Sequence, residues 1–166
     1  MVELNCERIN QSSPYKVEKE EDGFVQFVTD FNVRYTVGFE KTDGLLSFTT
    51  YQFIIINVNN KKSPNDPKLK DAILAIVVEF FRGDNSLMLY ICETGDAKQK
   101  ARNRLFQSWY NSYLWRMEYT MLSANIKDED GVINYTALIV KSDNPNLPTI
   151  AAEFTRTVQL LCEKPD

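Results

Sequence analysis

The segment DPKLKDAILAIVVEFFRGDNSLMLYIC, residues 66–92, decides the fold because its hydrophobic period changes partway along. Asp66 followed by Pro67 is a typical helix start, with a carboxylate to cap the helix and a proline in its first turn. Gly83 is expected to end this helix. The uncharged run 86–92 then has the composition of an interior strand that is covered on both faces. The helix is predicted to bury one apolar face at a spacing of 3.6 residues, made of Leu69, Ile73, Ile76, Val77 and Phe80.

Four strands are predicted before this helix. Residues 15–20 and 24–29 flank Asp22-Gly23, which is a hairpin turn signal. Residues 33–39 alternate strictly, so that Val33, Tyr35, Val37 and Phe39 share one face. After a second Asp-Gly pair at 43–44, the run 47–58 is rich in β-branched and aromatic residues, as expected for a long and well-buried strand. These strands are predicted to form an antiparallel meander.

A helix, a hairpin and a last helix are predicted after residue 92. Asp96 can cap a helix that runs to about residue 113. Residues 115–122 alternate, with Trp115, Met117, Tyr119 and Met121 on one face, and the turn 130–131 joins them to a strand at 132–140. An amphipathic helix follows from Leu147 to about residue 163. We therefore predict a single α+β domain, residues 1–166, with a mixed sheet and the order ββββ-α-β-α-ββ-α.

Composition excludes several kinds of chemistry. The 166 residues include no histidine, so a Ser-His-Asp triad, a Cys-His pair and a His-ligated metal site cannot form within the chain. The three cysteines, Cys6, Cys92 and Cys162, are too few for a Cys₄ zinc site, and no metal site is predicted. They are expected to be buried or half-buried thiols in a reducing compartment, which implies a cytoplasmic protein.

The charge balance argues against two classes of partner. A net charge of −4 does not suit nonspecific binding to nucleic acid, which depends on cationic residues. No apolar run approaches the roughly 20 residues that a membrane span needs, so no membrane partner is expected. The cationic residues are concentrated in two stretches, 59–70 and 96–104. These two stretches are the natural place to look for a site that binds an anion.

The two cationic stretches are predicted to meet at one edge of the sheet. If strands 47–58 and 86–92 are parallel, the helix between them makes a crossover, and both strands end at the same edge. The helices that start at Asp66 and Asp96 would then begin there, and unpaired amides at helix starts bind anions. We predict that a phosphorylated small molecule binds at this edge, and the predicted ligand contacts are Lys61, Lys62, Lys68, Lys98 and Arg102.

Lys98 and Arg102 could alternatively have a structural role instead of contacting a ligand. Both residues share a helix face with apolar side chains, where an unpaired guanidinium would be costly. Arg102 could instead form an internal ion pair with Glu79 or Glu118. Either side chain could also extend along apolar surface and keep its charged end in water.

The order of elements between residues 24 and 140 resembles the GNAT superfamily of acyl-CoA N-acyltransferases. That resemblance implies CoA as the cofactor, bound where the crossover helix starts, and direct transfer of an acyl group to an amine. The superfamily opens this helix with a glycine-rich loop, whereas the stretch VNNKKSPNDPKLK, residues 58–70, has no glycine and contains Pro64 and Pro67. If Ala101 is taken as the anchor, Lys98 and Leu105 stand where the superfamily has an asparagine and a tyrosine.

Catalysis by direct transfer would need a proton donor and a base. Tyr51 and Tyr110 are the candidate donors near the predicted edge, and Glu93 is the candidate base. Aromatic residues at such spacings can equally belong to the core. Because the usual loop is missing, the function predicted here is an acyltransferase-like domain, intact or degenerate, that binds CoA or another phosphorylated small molecule.

A second resemblance concerns the string YIC…GDAKQKARNRLFQSW within residues 90–109. It is similar to the central segment of an uncharacterised family of short bacterial proteins, which implies a bacterial, cytoplasmic protein and no particular chemistry. The alternative function is therefore a non-catalytic protein-interaction or regulatory module whose partner is unknown. The exposed face of the meander or the last helix would be its binding surface.

Overall fold

The computed structural model describes residues 2–42, 46–62, 64–82, 86–92, 108, 110–111, 117–127 and 130–162. It is an α+β structure with one mixed seven-stranded sheet, in the order β1-β2-β3-β4-β5-β7-β6. The predicted fold class is therefore confirmed. The elements are α1 (Cys6–Ser12), β1 (Glu18–Lys19), β2 (Val25–Val28), β3 (Arg34–Thr42), β4 (Thr50–Asn57), α2 (Pro67–Arg82), β5 (Leu87–Cys92), β6 (Tyr119–Lys127), β7 (Ile133–Lys141) and α3 (Leu147–Cys162).

Strands β4 and β5 are parallel, as the crossover prediction requires. Their ladder has three residues on each strand and runs from the pair Thr50 and Leu87 to the pair Gln52 and Leu89. On its other side β5 pairs with β7 in the antiparallel sense, and β7 pairs with β6. Residues 87–89 are almost completely buried although their side chains alternate between the two faces. The predicted interior strand is thus confirmed.

The chain forms two compact units, residues 1–40 with 53–84 and residues 41–52 with 85–166. In the first unit, the alternating residues of β3 are buried as predicted, with Val33 and Val37 fully inaccessible to solvent. The apolar face of α2 is buried as well. The ring of Phe80 on α2 stacks on the ring of Phe39 on β3, with centroids 4.2 Å apart and planes 10° apart. This contact joins helix and sheet in the first unit.

The other face of β3 carries a glycine that a neighbouring ring requires. Val25 pairs with Val37, so Phe24 stands opposite Gly38 on the next residue pair. A Cβ atom at Gly38 would lie only 2.3 Å from Cδ1 of the Phe24 ring, well inside van der Waals contact. Glycine therefore allows the ring to lie flat on the strand at this position.

The second unit has its own apolar core beneath α3. Glu153 on this helix accepts hydrogen bonds from the main-chain N–H and the hydroxyl of Ser47. These hydrogen bonds, the hydroxyl's first, lower the pKa of Glu153. Ile150 and Phe154 are buried and Val158 is half-buried, so α3 has one apolar face, as the predicted amphipathic helix requires. The fully buried part of the core consists of Leu87, Leu89, Leu138, Val140, Ile150 and Phe154.

The N-terminal helix α1 was not predicted. Asn5 caps it by accepting a hydrogen bond from the N–H of Arg8 at 3.1 Å. The side chain of Asn10 pairs with both main-chain groups of Val17, and Arg8 binds the buried carboxylate of Glu79 through Nε and Nη2. Seven residues are too short for a stable isolated helix, so these distant contacts are what hold α1 in place.

The pair formed by Arg8 and Glu79 gives a testable dependence of stability on pH. Desolvation alone would raise the pKa of Glu79, but hydrogen bonds and charge from Arg8 and then Arg82 outweigh it and lower that pKa. We expect Glu79→Gln to reduce the free energy of unfolding at neutral pH by about 1 kcal/mol. Because the folded-state pKa is lowered, the loss should be full above about pH 4.3 and should shrink as the pH falls through the lowered pKa.

Urea unfolding of both proteins across this pH range would measure the difference. Glu21→Gln is the matched control, since Glu21 is exposed in the turn before β2 and should leave stability unchanged at every pH. A loss in Glu79→Gln that grows as the solution becomes more acidic would contradict the assignment.

Several element boundaries differ from the prediction. The strand expected from residue 115 begins at Tyr119, and Met117, expected on the same strand face as Tyr119, precedes the strand and is 65% exposed. Both Asp-Gly hairpin turns that the structure describes are confirmed, with φ of 87° at Gly23 and 81° at Gly131. The turn at 43–44 lies outside the described residues, as does most of the helix predicted for 96–113.

None of the helices in the described part of the chain is both long and apolar enough to cross a bilayer.

The cysteine prediction holds only in part. Cys6 is half-buried, and burial raises the pKa of its thiol above the ordinary value. Cys162 is exposed, because it is the last residue of α3 and lies off its buried face, so the expectation of a buried or half-buried thiol was wrong there. Both thiols are free.

Candidate functional site

The start of α2, in the first unit, already contains an anionic group of the chain itself. The carboxylate of Asp66 accepts a hydrogen bond from the N–H of Lys68 at 3.0 Å and another from the hydroxyl of Tyr15 at 2.6 Å. Pro67 has no N–H to offer. The predicted helix cap is confirmed. Asp66 therefore stands where an external phosphate would otherwise meet the helix start, and it offsets the positive end of the helix dipole.

Of the three predicted ligand contacts in the first unit, Lys68 is paired with a carboxylate of the protein, whereas Lys61 and Lys62 are exposed. The ammonium of Lys68 lies 2.7 Å from Oδ2 of Asp30 and 5.8 Å from the centre of the Tyr15 ring. Its hydrogen bond to Asp30 is the main reason why the pKa of Lys68 is raised. Lys61 and Lys62 are exposed. The charge of Lys68 is therefore largely offset by the protein, whereas Lys61 and Lys62 face solvent.

Tyr15 is part of this arrangement, and the sequence analysis did not identify it. Burial first, and then the hydrogen bond to Asp66, raise the pKa of Tyr15 to about 12. The hydroxyl is therefore a neutral donor at ordinary pH. Only the long-range fold brings residue 15 to residue 66, so no local sequence signal could have indicated the pair.

The remaining predicted site residues belong to the second unit. Tyr51 is half-buried on β4 and pairs with Met88 of β5. The hydroxyl of Tyr110 donates to the carbonyl oxygen of Tyr119 and accepts from the N–H of Met121, both at 3.3 Å. Tyr110 thus binds the main chain of β6, which is a structural role that its sequence position did not predict.

Glu93, Lys98 and Arg102 lie outside the described residues, and so does Asp96. The meeting of two helix starts at one edge therefore stays a prediction. The structural alternatives for Arg102 likewise stay predictions. Both carboxylate oxygens of Glu79 accept hydrogen bonds from arginines, namely Arg8 and Arg82.

The carboxyl end of β5 extends beyond its ladder with β4. The N–H of Leu87 donates to the carbonyl oxygen of Thr49, so the main-chain groups of Leu87 face β4. Main-chain groups alternate in direction along a strand, so those of Leu89 and Ile91 face the same way. The ladder ends at Leu89. Within the described residues, the main-chain groups of Ile91 therefore face the β4 side of β5 but lie beyond the last residue pair of the β4–β5 ladder. The Ile91 side chain is 37% exposed.

The residues that the structure describes contain no group of three or more His, Cys, Asp or Glu side chains placed to hold a metal ion. Among the described residues, the groups that could contact a ligand include the exposed lysines Lys61 and Lys62 and the main chain of Ile91. Such groups suit the recognition of an anion with an extended, amide-containing arm.

These features define an α+β protein with one mixed sheet, in which β4 and β5 form a parallel pair. The chain belongs to DUF6169, a family of unknown function whose model matches residues 65–156. The matched region begins just before α2 and ends within α3, so it includes β5, β6 and β7. The resemblance to an uncharacterised family is thereby confirmed. No curated protein and no solved structure matches the chain.

Proposed function

We propose that the chain is an acyltransferase-like domain, intact or degenerate, that binds CoA or another phosphorylated small molecule beside the carboxyl end of β5. The observation that carries this proposal is the short parallel ladder, which ends at Leu89 while β5 continues to Cys92. In open sheets with parallel strands, ligands commonly bind just beyond the carboxyl ends of the strands. The GNAT resemblance supports the same location.

The main chain of Ile91 is the proposed contact for the uncharged part of the ligand. Its N–H and carbonyl groups lie on the side where the ladder has ended, so they can exchange hydrogen bonds with an extended chain of amides. The pantetheine arm of CoA is such a chain. Lys98 and Arg102, which follow β5 in the sequence, are the proposed phosphate contacts.

Acyl transfer would use groups of the second unit. An amine would attack the acyl carbonyl carbon, the bond from that carbon to sulfur would break, and the thiolate would leave. Glu93 is the proposed acceptor of the amine proton, and Tyr51 is the proposed donor to the thiolate. The hydroxyl of Tyr110 donates to the carbonyl oxygen of Tyr119, so Tyr110 would have to leave this contact before it could donate its proton to the thiolate.

A thermal-shift experiment with and without CoA tests the binding proposal. A phosphate ligand at about 100 times its Kd stabilises the folded state by about 2.7 kcal/mol, which should raise the Tm by roughly 5–10 °C. Acetyl-CoA, ATP and inorganic phosphate would be compared in the same way. Arg102→Ala should weaken the response at least about tenfold in Kd, because it removes a charge-assisted contact.

Arg104→Ala is the matched control for Arg102→Ala. Both variants remove one arginine from the same stretch, but helical spacing puts Arg104 on the face opposite Arg102, which predicts that it points to solvent. Equal responses in the two variants would contradict a specific contact at Arg102. If CoA binds, turnover of acetyl-CoA with a panel of amines would separate an enzyme from a sensor.

A second candidate function is supported by the outer face of the first unit. Val28 of β2 pairs with Arg34 of β3, and the N–H of Val58, just after β4, donates to the carbonyl oxygen of Arg34. The side chains of Val28, Arg34 and Val58 therefore form one row across the sheet. Val28 and Val58 are 44% and 49% exposed, and Ile56 beside them is 49% exposed. Such a surface suits a protein-interaction module. A screen in which no phosphate ligand raises the Tm would favour this function.

A bacterial, cytoplasmic location is part of the proposal. The free thiols of Cys6 and Cys162 suit a reducing compartment. The similarity to short bacterial proteins supports the source.

A further inference from the structure

The two edges of the sheet are built differently. Strand β1 forms one edge and has only two residues, Glu18 and Lys19, both charged and exposed. Short and charged edge strands prevent pairing with other chains. Strand β6 forms the other edge and has nine residues, Tyr119 to Lys127, of which only the last is charged. The β6 edge therefore lacks the protection that β1 has.

The main-chain groups of β6 that face away from β7 can be assigned from their partners. The carbonyl oxygen of Glu118 accepts a hydrogen bond from the N–H of Ser142, which follows β7. The main-chain N–H and carbonyl groups of the even-numbered residues of β6 therefore face β7. The hydroxyl of Tyr110 binds the carbonyl of Tyr119 and the N–H of Met121, so odd-numbered residues face outward. Tyr110 occupies the first part of this edge.

Three outward-facing residues follow the part that Tyr110 occupies, namely Ser123, Asn125 and Lys127. The side chains of all three are exposed. Their N–H and carbonyl groups form the open edge, and within the described residues no strand pairs with it. The side chains of the even-numbered residues lie on the opposite face of the sheet. There Ala124 packs against the core beneath α3, and Ile126 is half-buried.

We infer that two copies of this chain associate through antiparallel pairing of their β6 strands, with Asn125 on the two-fold axis. In this register Asn125 faces its own counterpart, and Ser123 of each copy faces Lys127 of the other. All three outward residues are then used, giving about six main-chain hydrogen bonds. On the opposite face, Ala124 of one copy meets Ile126 of the other, so a small residue is matched with a large one and the apolar layer under α3 continues across the axis.

Other registers are less favourable. A shift toward Tyr119 brings the partner strand against the hydroxyl of Tyr110. A shift toward the β6–β7 turn loses residue pairs and finally places Lys127 opposite Lys127, which is a repulsive arrangement. In the register centred on Asn125 no like charges face each other, and small and large side chains alternate across the axis, so a second copy fits this edge better than an unrelated peptide.

The position of Asn125 on the axis allows a sharp test by charge substitution. The chain has a mass of 19.2 kDa, and light scattering after size exclusion should give twice that mass for the unaltered protein at micromolar concentration. Asn125→Lys and Asn125→Asp each place like charges opposite one another, so each should raise the dimer Kd at least about tenfold. An equimolar mixture of the two variants should restore the dimer, because opposite charges then face each other.

Glu18→Lys is the matched control, since it changes the charge of the β1 edge and should leave the dimer unchanged. Far-ultraviolet circular dichroism would confirm that the variants at Asn125, whose side chain is exposed, keep their fold. A protein that is monomeric throughout the concentration range overturns the inference. So does a dimer that both charge variants leave intact, or one that the mixture fails to restore.

Discussion

Phe80→Ala is expected to reduce the free energy of unfolding by about 3–5 kcal/mol, the range found when large aromatic residues are removed from protein cores. The Phe80 side chain is buried, its ring stacks on Phe39 at 4.2 Å, and it meets the edge of Phe81 at 4.9 Å. Its removal leaves a cavity between α2 and β3, and also removes two aromatic contacts. Because a typical domain is stable by only about 5–15 kcal/mol, the first unit could lose most of its stability.

The measurement is chemical unfolding followed by circular dichroism. Asp71→Ala provides the control on the same helix, since Asp71 is exposed and its removal should change stability by less than about 0.5 kcal/mol. Phe80→Leu should fall between the two, because it keeps apolar volume but loses the stacked ring. A loss below about 1 kcal/mol in Phe80→Ala would mean that Phe80 does not join α2 to β3 as described.

Gly38→Val is expected to cost about 2 kcal/mol, although valine is normally the better strand residue. The Cβ atom of the valine would overlap the Phe24 ring, because it would lie only 2.3–2.5 Å from three atoms of that ring. The ring must therefore turn about its χ1 angle and expose its apolar surface. Glu40→Val on the same strand is the control, because Glu40 is exposed and its replacement should cost almost nothing.

A double variant separates this clash from a general effect of the glycine. In Phe24→Ala with Gly38→Val, the valine can occupy the space that the ring has left. The two substitutions together should therefore cost at least about 1 kcal/mol less than the sum of the separate costs. Additive costs would show that the cost of a side chain at residue 38 does not come from the Phe24 ring.

Local patterns were sufficient to predict most of the elements. Alternation placed Val33 and Val37 in the core, and the Asp66-Pro67 pair marked the start of α2, since these signals depend only on neighbouring residues. The parallel pairing of β4 and β5, on which the predicted edge was conditional, is what the structure shows. Helix α1 escaped prediction because its stability comes from Glu79, a residue distant in sequence.

The candidate site was harder to predict, for a related reason. Composition identified the cationic stretches, but it could not show that Asp30 would pair with Lys68 or that Tyr15 would donate to Asp66. Each of these contacts joins residues far apart in the chain. The role of Tyr110 on the edge of β6 also depends on strand register, which a single sequence does not fix.

The position of β5 in the sheet has a consequence for how the protein is made. One neighbour of β5, the strand β4, precedes it in the chain, whereas the other, β7, follows it. On the ribosome, residues 87–92 therefore emerge with one side still lacking its partner, and they stay so until residues 133–141 have been synthesised. During this interval the most apolar strand of the second unit is accessible to chaperones and to other nascent chains. Completion of the C-terminal hairpin is the step that ends this exposure.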